Sequence, residues 1–246
     1  MTHPLSRIAL ITGASRGIGA ELARRLSRDG FAVAINYATR STDAQALVAE
    51  IEQAGGTAIS VQADVSRADE VTRLFDEVEK RLGRIAILVN NAGILQTSAL
   101  ADTSDALFAR HFAINVQGVF NTLREAAHRL ETGGRIINLS TTALALNLPG
   151  YGIYNGTKAA VEAFTRVFAK ELRGRDITVN AVAPGPVATE LFMQGKTDEQ
   201  IQAFAKMPPL ERLGQPEDIA HIVAFLAGPE SAWVNGQVLR ANGGLA

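Results

Sequence analysis

The stretch Ile8-Ala9-Leu10-Ile11-Thr12-Gly13-Ala14-Ser15-Arg16-Gly17-Ile18-Gly19 sets the reading of the whole chain. An apolar run, a strand candidate from Arg7 to Thr12, is followed by glycines and then by a helical pattern over 18–29. Glycines at a strand-to-helix turn let backbone amides approach a phosphate, whose charge the helix N-terminus favours. The spacing G-x-x-x-G-x-G differs from G-x-G-x-x-G, and no Gly-Lys-Ser/Thr follows, so it is not a P-loop. A tight structural turn accounts for Gly13 alone. Three glycines in one junction, Gly13, Gly17 and Gly19, with Ser15, Arg16 and Ile18 between them, predict a pyrophosphate cradle.

Outward from this unit, short β-rich runs alternate with longer helical patterns, which predicts an α/β fold with a parallel sheet covered on both faces. The further strand candidates are Ala32 to Tyr37, Ala58 to Gln62, Ile85 to Asn90, Arg135 to Ser140, Ile177 to Ala183 and Gln237 to Arg240. Several are near-continuous Ile, Val, Leu and Ala, as burial on both faces requires. Helical patterns fall at 42–54, 67–82, 103–131, 152–173 and 216–227. No linker, repeat or low-complexity tract interrupts the alternation, so residues 1–246 are expected to form a single domain.

Bulk properties narrow the function. A hydrophobic content of 47% with 20% charged residues excludes disorder. A formal net charge of −1 leaves no basic footprint for nucleic acid and no polybasic patch for an anionic membrane. Without cysteine there is no disulfide, thiolate nucleophile or thiolate metal site, and His3, His111, His128 and His221 lack ligand spacing, so no metal is expected. The run Ile8 to Ile11 is too short for a signal or an anchor, and a cytoplasmic location is the expectation.

The end of the second strand reads Ile35-Asn36-Tyr37-Ala38-Thr39-Arg40-Ser41. NAD-binding dinucleotide folds place a carboxylate here, about 20 residues beyond the glycines, on the ribose 2′-hydroxyl. No acid is present. A neutral Asn36, with Arg40, Ser41 and Arg16 close by, suits the 2′-phosphate of NADP(H), which a carboxylate would repel. Asp64, before Val65, can cap the next helix or meet an adenine amino group. Asn90-Asn91-Ala92-Gly93 is poor strand material at the carboxyl end of a buried strand, which suggests backbone approach to a ligand, an ordinary turn being the alternative.

Tyr154-Asn155-Gly156-Thr157-Lys158 heads a helix, so the Tyr154 phenol and the Lys158 ammonium share a face. A neighbouring cation favours phenolate and is expected to bring the tyrosine pKa down toward the working range for proton exchange with a carbonyl or alcohol. Asn115, amid Phe112-Ala113-Ile114 and Val116, serves either a proton relay or a kink. Ser140, Thr141 and Thr142 place hydroxyls ahead of Tyr154. Thr141 is the favoured partner of a substrate oxygen, with Ser140 the alternative if the strand ends early. Past Pro184-Gly185-Pro186-Val187-Ala188-Thr189, the amphipathic stretch Glu190 to Met207 reads as core packing or as a substrate lid over 188–208. Leu95, Gln96, Leu146 and Tyr151 suggest a largely apolar cavity.

Thr12-Gly13-Ala14-Ser15-Arg16-Gly17-Ile18-Gly19, Asn90-Asn91-Ala92-Gly93, Tyr154-x-x-x-Lys158 and Pro184-Gly185, in this order and at these separations, resemble the classical short-chain dehydrogenase/reductase family over essentially the whole chain. The resemblance implies a Rossmann-type, doubly wound sheet of about seven strands, a nicotinamide cofactor, and a homotetramer with the 103–131 and 152–173 helices and the last strand at interfaces. It implies that Tyr154 is the acid/base, that Lys158 lowers its pKa and binds the nicotinamide ribose, and that Asn115 holds a relay water. It places Gly13, Arg16, Gly17, Ile18 and Gly19 at the pyrophosphate, Asp64, Val65, Asn91 and Gly93 at the adenosine, and Pro184, Val187 and Thr189 at the nicotinamide. Ser15, Tyr37, Ala38, Ala92 and Gly185 fall within the same cofactor-binding segments. The Asn36-to-Arg40 region is similar to NADP-using members, including 3-oxoacyl-carrier-protein reductases. Thr141 stands where the family usually has serine.

The leading expectation is an NADPH-dependent enzyme interconverting a small-molecule carbonyl and a secondary alcohol. An NAD-linked alcohol or sugar dehydrogenase is disfavoured by the missing acid at Asn36. A low-turnover dinucleotide-binding module has no chemical need for Tyr154, Lys158 and Asn115 together.

Overall fold

The computed structural model describes residues 7–246, so His3 lies outside the described residues. Within them, strands β1 (Ile8–Ile11), β2 (Ala32–Tyr37), β3 (Ala58–Gln62), β4 (Ile85–Asn90), β5 (Arg135–Leu139), β6 (Thr178–Pro184) and β7 (Val238–Ala241) form one sheet. Its order is β3-β2-β1-β4-β5-β6-β7 and every pairing is parallel. The parallel sheet is the one expected from the alternation, and its strand order is the doubly wound, Rossmann-type arrangement that the family resemblance implies. The order reverses between β1 and β4, and ligands of such sheets bind at that switch point, beyond the carboxyl ends of the strands.

Side-chain alternation along each strand divides the core in two. Ala9 and Ile11 of β1 join the cluster packed under α1 (Gly17–Arg28), α2 (Ser41–Gln53) and α10 (Pro216–Ala227). Ile8 and Leu10 join the opposite cluster, under α3 (Ala68–Arg81), α5 (Gly118–Arg129) and α7 (Gly152–Glu171). Fully buried Leu10, Ile11, Ile35, Phe75 and Ile87 each contribute about 1.5–3 kcal/mol of transfer free energy, so both faces are firmly held.

Two departures from the sequence reading bear on the site. The single helix expected over 103–131 is interrupted: α4 (Asp105–Phe112) and α5 are joined by a π-helical turn, Ala113–Gln117. Such a turn inserts an extra residue into the helical path and re-aims what it carries, here the fully buried Asn115. The 190–207 stretch forms two short helices, α8 (Glu190–Met193) and α9 (Asp198–Lys206), after the four-residue α6 (Ala143–Leu146) earlier in the chain. Neither α8 nor α9 contains a buried residue, so their apolar side chains do not form core. A Thr197–Gln200 capping box sets the start of α9, and the Phe192 and Phe204 rings meet edge-on at 5.3 Å.

Candidate active site

The glycine turn is built by steric need and by amide side chains. Gly13 sits at φ 61°, and a Cβ there would lie 2.8 Å from the Ala92 Cα; at Gly19 it would lie 2.5 Å from the Asn91 Nδ2 and 2.7 Å from the Gly13 carbonyl oxygen. These positions exclude side chains because the turn is clamped against the end of β4. Asn91 Nδ2 donates to the carbonyls of Thr12 and Gly13 at 2.9 Å each, and the Thr12 hydroxyl accepts from the backbone amides of Asn91 and Ala92 at 3.1 Å each. The Asn-Asn-Ala-Gly segment therefore holds the turn in shape. Thr12, which sequence reading passed over as strand, is part of that brace.

Above the turn lies a cleft of about 630 Å³. The positions expected to hold cofactor on the glycine turn, at the end of β2, after β3 and after β4 all line it, from Gly13 through Asn36 and Asp64 to Gly93, with the exception of Ser41. Ser41 begins α2 with its side chain exposed and stands outside the wall, because the chain has already turned into the helix.

Asn36 corrects a second expectation. Its Oδ1 accepts from the Gly13 amide at 3.2 Å, and its Nδ2 donates to the carbonyls of Val61 at 3.3 Å and Ala63 at 3.0 Å. With both N–H groups engaged and 1% of its surface exposed, it has no donor left for a 2′-phosphate. It contributes neutrality and ties the turn to β3. Arg16, Arg40 and Arg110 line the cleft, and the first two converge on one carboxylate, Glu190, with Arg40 Nη2 to Glu190 Oε1 at 2.8 Å and Arg40 Nη1 to Asp43 Oδ2 at 3.4 Å. Asp64 does not cap α3, whose N-cap is Arg67; its Oδ1 accepts from the Ser66 amide at 2.9 Å and hydroxyl at 2.8 Å, ahead of the helix.

A second cavity, about 150 Å³, opens from the same crevice, and Ile18, Asn91, Gly93, Ile94, Thr189 and Leu191 belong to both walls. Tyr154, Lys158, Ser140 and Thr141 line it, as do Pro184, Gly185 and Val187. Leu95, Leu146, Leu148, Tyr151, Leu191, Phe192 and Phe204 make the remaining wall apolar. Gln96, expected here, is not on it: its backbone amide donates to His111 Nε2 at 3.2 Å instead.

The hydroxyls separate cleanly. β5 ends at Leu139, and Ser140, though on the cavity wall, has its hydroxyl engaged as donor to Glu162 Oε1 at 2.7 Å. The Thr141 hydroxyl accepts from the Ala143 amide at 3.1 Å, and Thr141 stands on the cavity wall with Tyr154. Lys158 Nζ donates to the Leu139 carbonyl at 2.7 Å and lies 5.9 Å from the centre of the Tyr154 ring. The Asn115 Oδ1 accepts from the Ile94 amide at 2.8 Å, while its Nδ2 donates to the Ile94 carbonyl at 3.0 Å and the Thr157 hydroxyl at 3.1 Å. Its side chain therefore pins the loop after β4 to α7, beside Tyr154.

The electrostatics reverse one expectation. Burial pushes the Tyr154 phenol up to about 12, the Thr141 hydroxyl opposing this and the Tyr151 phenol adding to it. Lys158, whose ammonium donates to the Leu139 carbonyl, is itself pulled down to about 8 by burial. At neutral pH both groups hold their protons.

Comparison with known proteins adds identity to this geometry. Residues 13–246 match the family described as enoyl-(acyl carrier protein) reductase. The chain is 46% identical to a short-chain type dehydrogenase/reductase of Picea abies, over 97% of this chain and 92% of that one. It is 42% identical to an NADPH-dependent aldehyde reductase-like protein of Arabidopsis thaliana, chloroplastic, over 97% and 93%. Among solved structures, a short chain dehydrogenase from Burkholderia cenocepacia in complex with NADP superposes with a TM-score of 0.91 at 37% identity, covering 99% of both chains.

Proposed function

We propose that this chain, which belongs to the short-chain dehydrogenase/reductase family, is an NADPH-dependent oxidoreductase interconverting a carbonyl and a secondary alcohol, with an apolar ketone, aldehyde or 3-oxoacyl compound as substrate. The observation that supports this reading is the wall shared by the glycine-turn cleft and the Tyr154 cavity, which brings a cleft fitting a dinucleotide and the half-buried Tyr154 phenol onto one crevice. The cleft residues fit a nicotinamide dinucleotide: glycines whose side chains would collide with Ala92 and Asn91, the cations Arg16, Arg40 and Arg110, and no acid at the end of β2. Bound there, such a cofactor supplies or accepts a hydride.

The chain's own residues supply the rest. Tyr154, whose phenol stays protonated at neutral pH, gives its proton to the carbonyl oxygen, and the Thr141 hydroxyl steadies that oxygen as charge develops. With the phenol pushed up to about 12, the proton that reduction needs is in place at neutral pH. Lys158 fixes the end of β5 through the Leu139 carbonyl, and Asn115 holds the loop after β4 against α7. Leu191, Phe192 and Phe204 form an apolar cover that keeps water from the reacting carbon.

The reading includes a homotetramer: Phe108 of α4, Phe120 of α5 and Val167 of α7 are 45%, 47% and 54% exposed on the helices expected at interfaces. The decisive experiment is a screen of NADPH oxidation across ketones, aldehydes, quinones and acyl thioesters. Turnover of an apolar carbonyl compound with NADPH is expected, and failure across all classes by a protein that binds NADPH would return the chain to a binding module.

A further inference from the structure

Glu190, the first residue of α8, has no part in the chemistry above, yet it sits on the wall of the dinucleotide cleft beside Arg16 and Arg40. Its Oε1 is the meeting point of both guanidiniums, Arg16 from the glycine turn and Arg40 from the end of β2. Two cations from separate elements converging on one oxygen is the arrangement suited to an anion with several acceptor oxygens. Here a carboxylate of the cover fills that place. The three side chains are 40%, 44% and 55% exposed, so the tie lies on the wet rim of the cleft and is weak enough to be displaced. Arg16 and Arg40 hold the Glu190 carboxyl below its usual range, so it is an anion at neutral pH.

The connection reaches the catalytic cavity. Glu190 is followed by Leu191 and Phe192, which line that cavity, and the Phe192 ring rests against Phe204 of α9 at 5.3 Å. Thr189, just before Glu190, faces the glycine turn closely enough that a Cβ on Gly17 would meet its Cγ2 at 3.6 Å. The Arg16–Glu190–Arg40 cluster thus ties the start of the cover to the cofactor cradle.

We propose that Glu190 competes with the 2′-phosphate of NADP(H) for Arg16 and Arg40, so that a 2′-phosphate frees the start of the cover while a nucleotide lacking one leaves it tied. The inference rests on the reading of the cleft as an NADP(H) site. It makes Glu190 a residue of cofactor discrimination and links occupancy of the adenosine end to the cover over the substrate.

The test is a fluorescence titration of NADPH and NADH into wild type and Glu190→Gln, joined to hydrogen exchange over residues 190–206 with adenosine 2′,5′-bisphosphate or 5′-AMP. Removing the competitor should tighten NADPH by roughly three- to tenfold and leave NADH within about twofold. The bisphosphate should raise exchange of the wild-type segment to the level of Glu190→Gln, and 5′-AMP should not. Equal changes for the two dinucleotides, no change for either, or exchange unmoved by the bisphosphate overturns the proposal while leaving the cofactor reading intact. Failure of wild type to bind NADPH overturns that reading, and this inference with it.

Discussion

Around the glycine turn, the side chains of Asn36 and Asn91 are bound to protein at every donor, and glycines stand where any side chain would collide. Across the shared wall, α8 and α9 bury nothing, and their aromatic side chains face the cavity. The first region is a rigid mould whose polar groups serve shape; the second is a surface whose shape depends on weak contacts. A satisfied buried network resists change because each broken bond leaves an unpaired group, whereas an apolar cover on two short helices shifts at little cost. Substitutions in the mould should therefore register in stability and cofactor affinity, and those around Tyr154 in turnover.

The largest effect tests the second half of that contrast. Tyr154→Phe removes the proton donor and little else, so kcat should fall by roughly 10²- to 10⁴-fold with NADPH affinity nearly unchanged. Turnover within about tenfold of wild type would remove Tyr154 from its assigned place. Next, Thr141→Val keeps the shape of the side chain and should lower kcat by about a hundredfold, while Ser140→Ala, whose hydroxyl serves Glu162, should stay near wild type. The reverse ranking would exchange the two roles.

A smaller effect probes the mould. Asn36→Leu leaves the Gly13 amide and the carbonyls of Val61 and Ala63 without their partner, a loss of about 3 kcal/mol, or a Tm lower by roughly 10 °C. If Asn36→Leu kept its Tm and lost only kcat, the division between mould and machinery would be wrong.

The finest test is pH. Burial draws Lys158 from 10.5 to about 8. Between those values the unfolded chain binds the extra proton, so this residue's contribution to stability rises with pH across that window. Activity should move the opposite way, falling as Lys158 loses its charge above about 8. Both trends are read as the difference between wild type and Lys158→Met in Tm and in kcat; parallel trends would disconnect the ammonium from catalysis.

Much of this was legible in the chain because it depends on local chemistry. Near-continuous apolar runs alternating with amphipathic ones can bury themselves only as a sheet between two helical layers. Three glycines at the first turn could be placed by spacing, as could Tyr154 and Lys158 on one helical face. Asn36 misled because an amide at a strand end looks the same in sequence whether it faces a ligand or two carbonyls. Asp64 likewise fits several turns, and the π turn at Asn115 leaves no periodic signature strong enough to break the 103–131 pattern. A lone acid heading an apolar stretch was the only local sign of Glu190.

The sequence by itself determined the layers, the order of the motifs and the chemical types gathered at the carboxyl edge of the sheet, since periodicity and glycine placement act over a few residues. Only the tertiary structure decided who meets whom. Arg40 reaches Glu190 from 150 residues away, Ser140 turns to Glu162 while Thr141 shares the cavity wall with Tyr154, and the Lys158 ammonium is aimed at the Leu139 carbonyl. The direction in which Tyr154 titrates followed from its burial, because desolvation is a property of the packed cavity and is written in no single stretch of the chain.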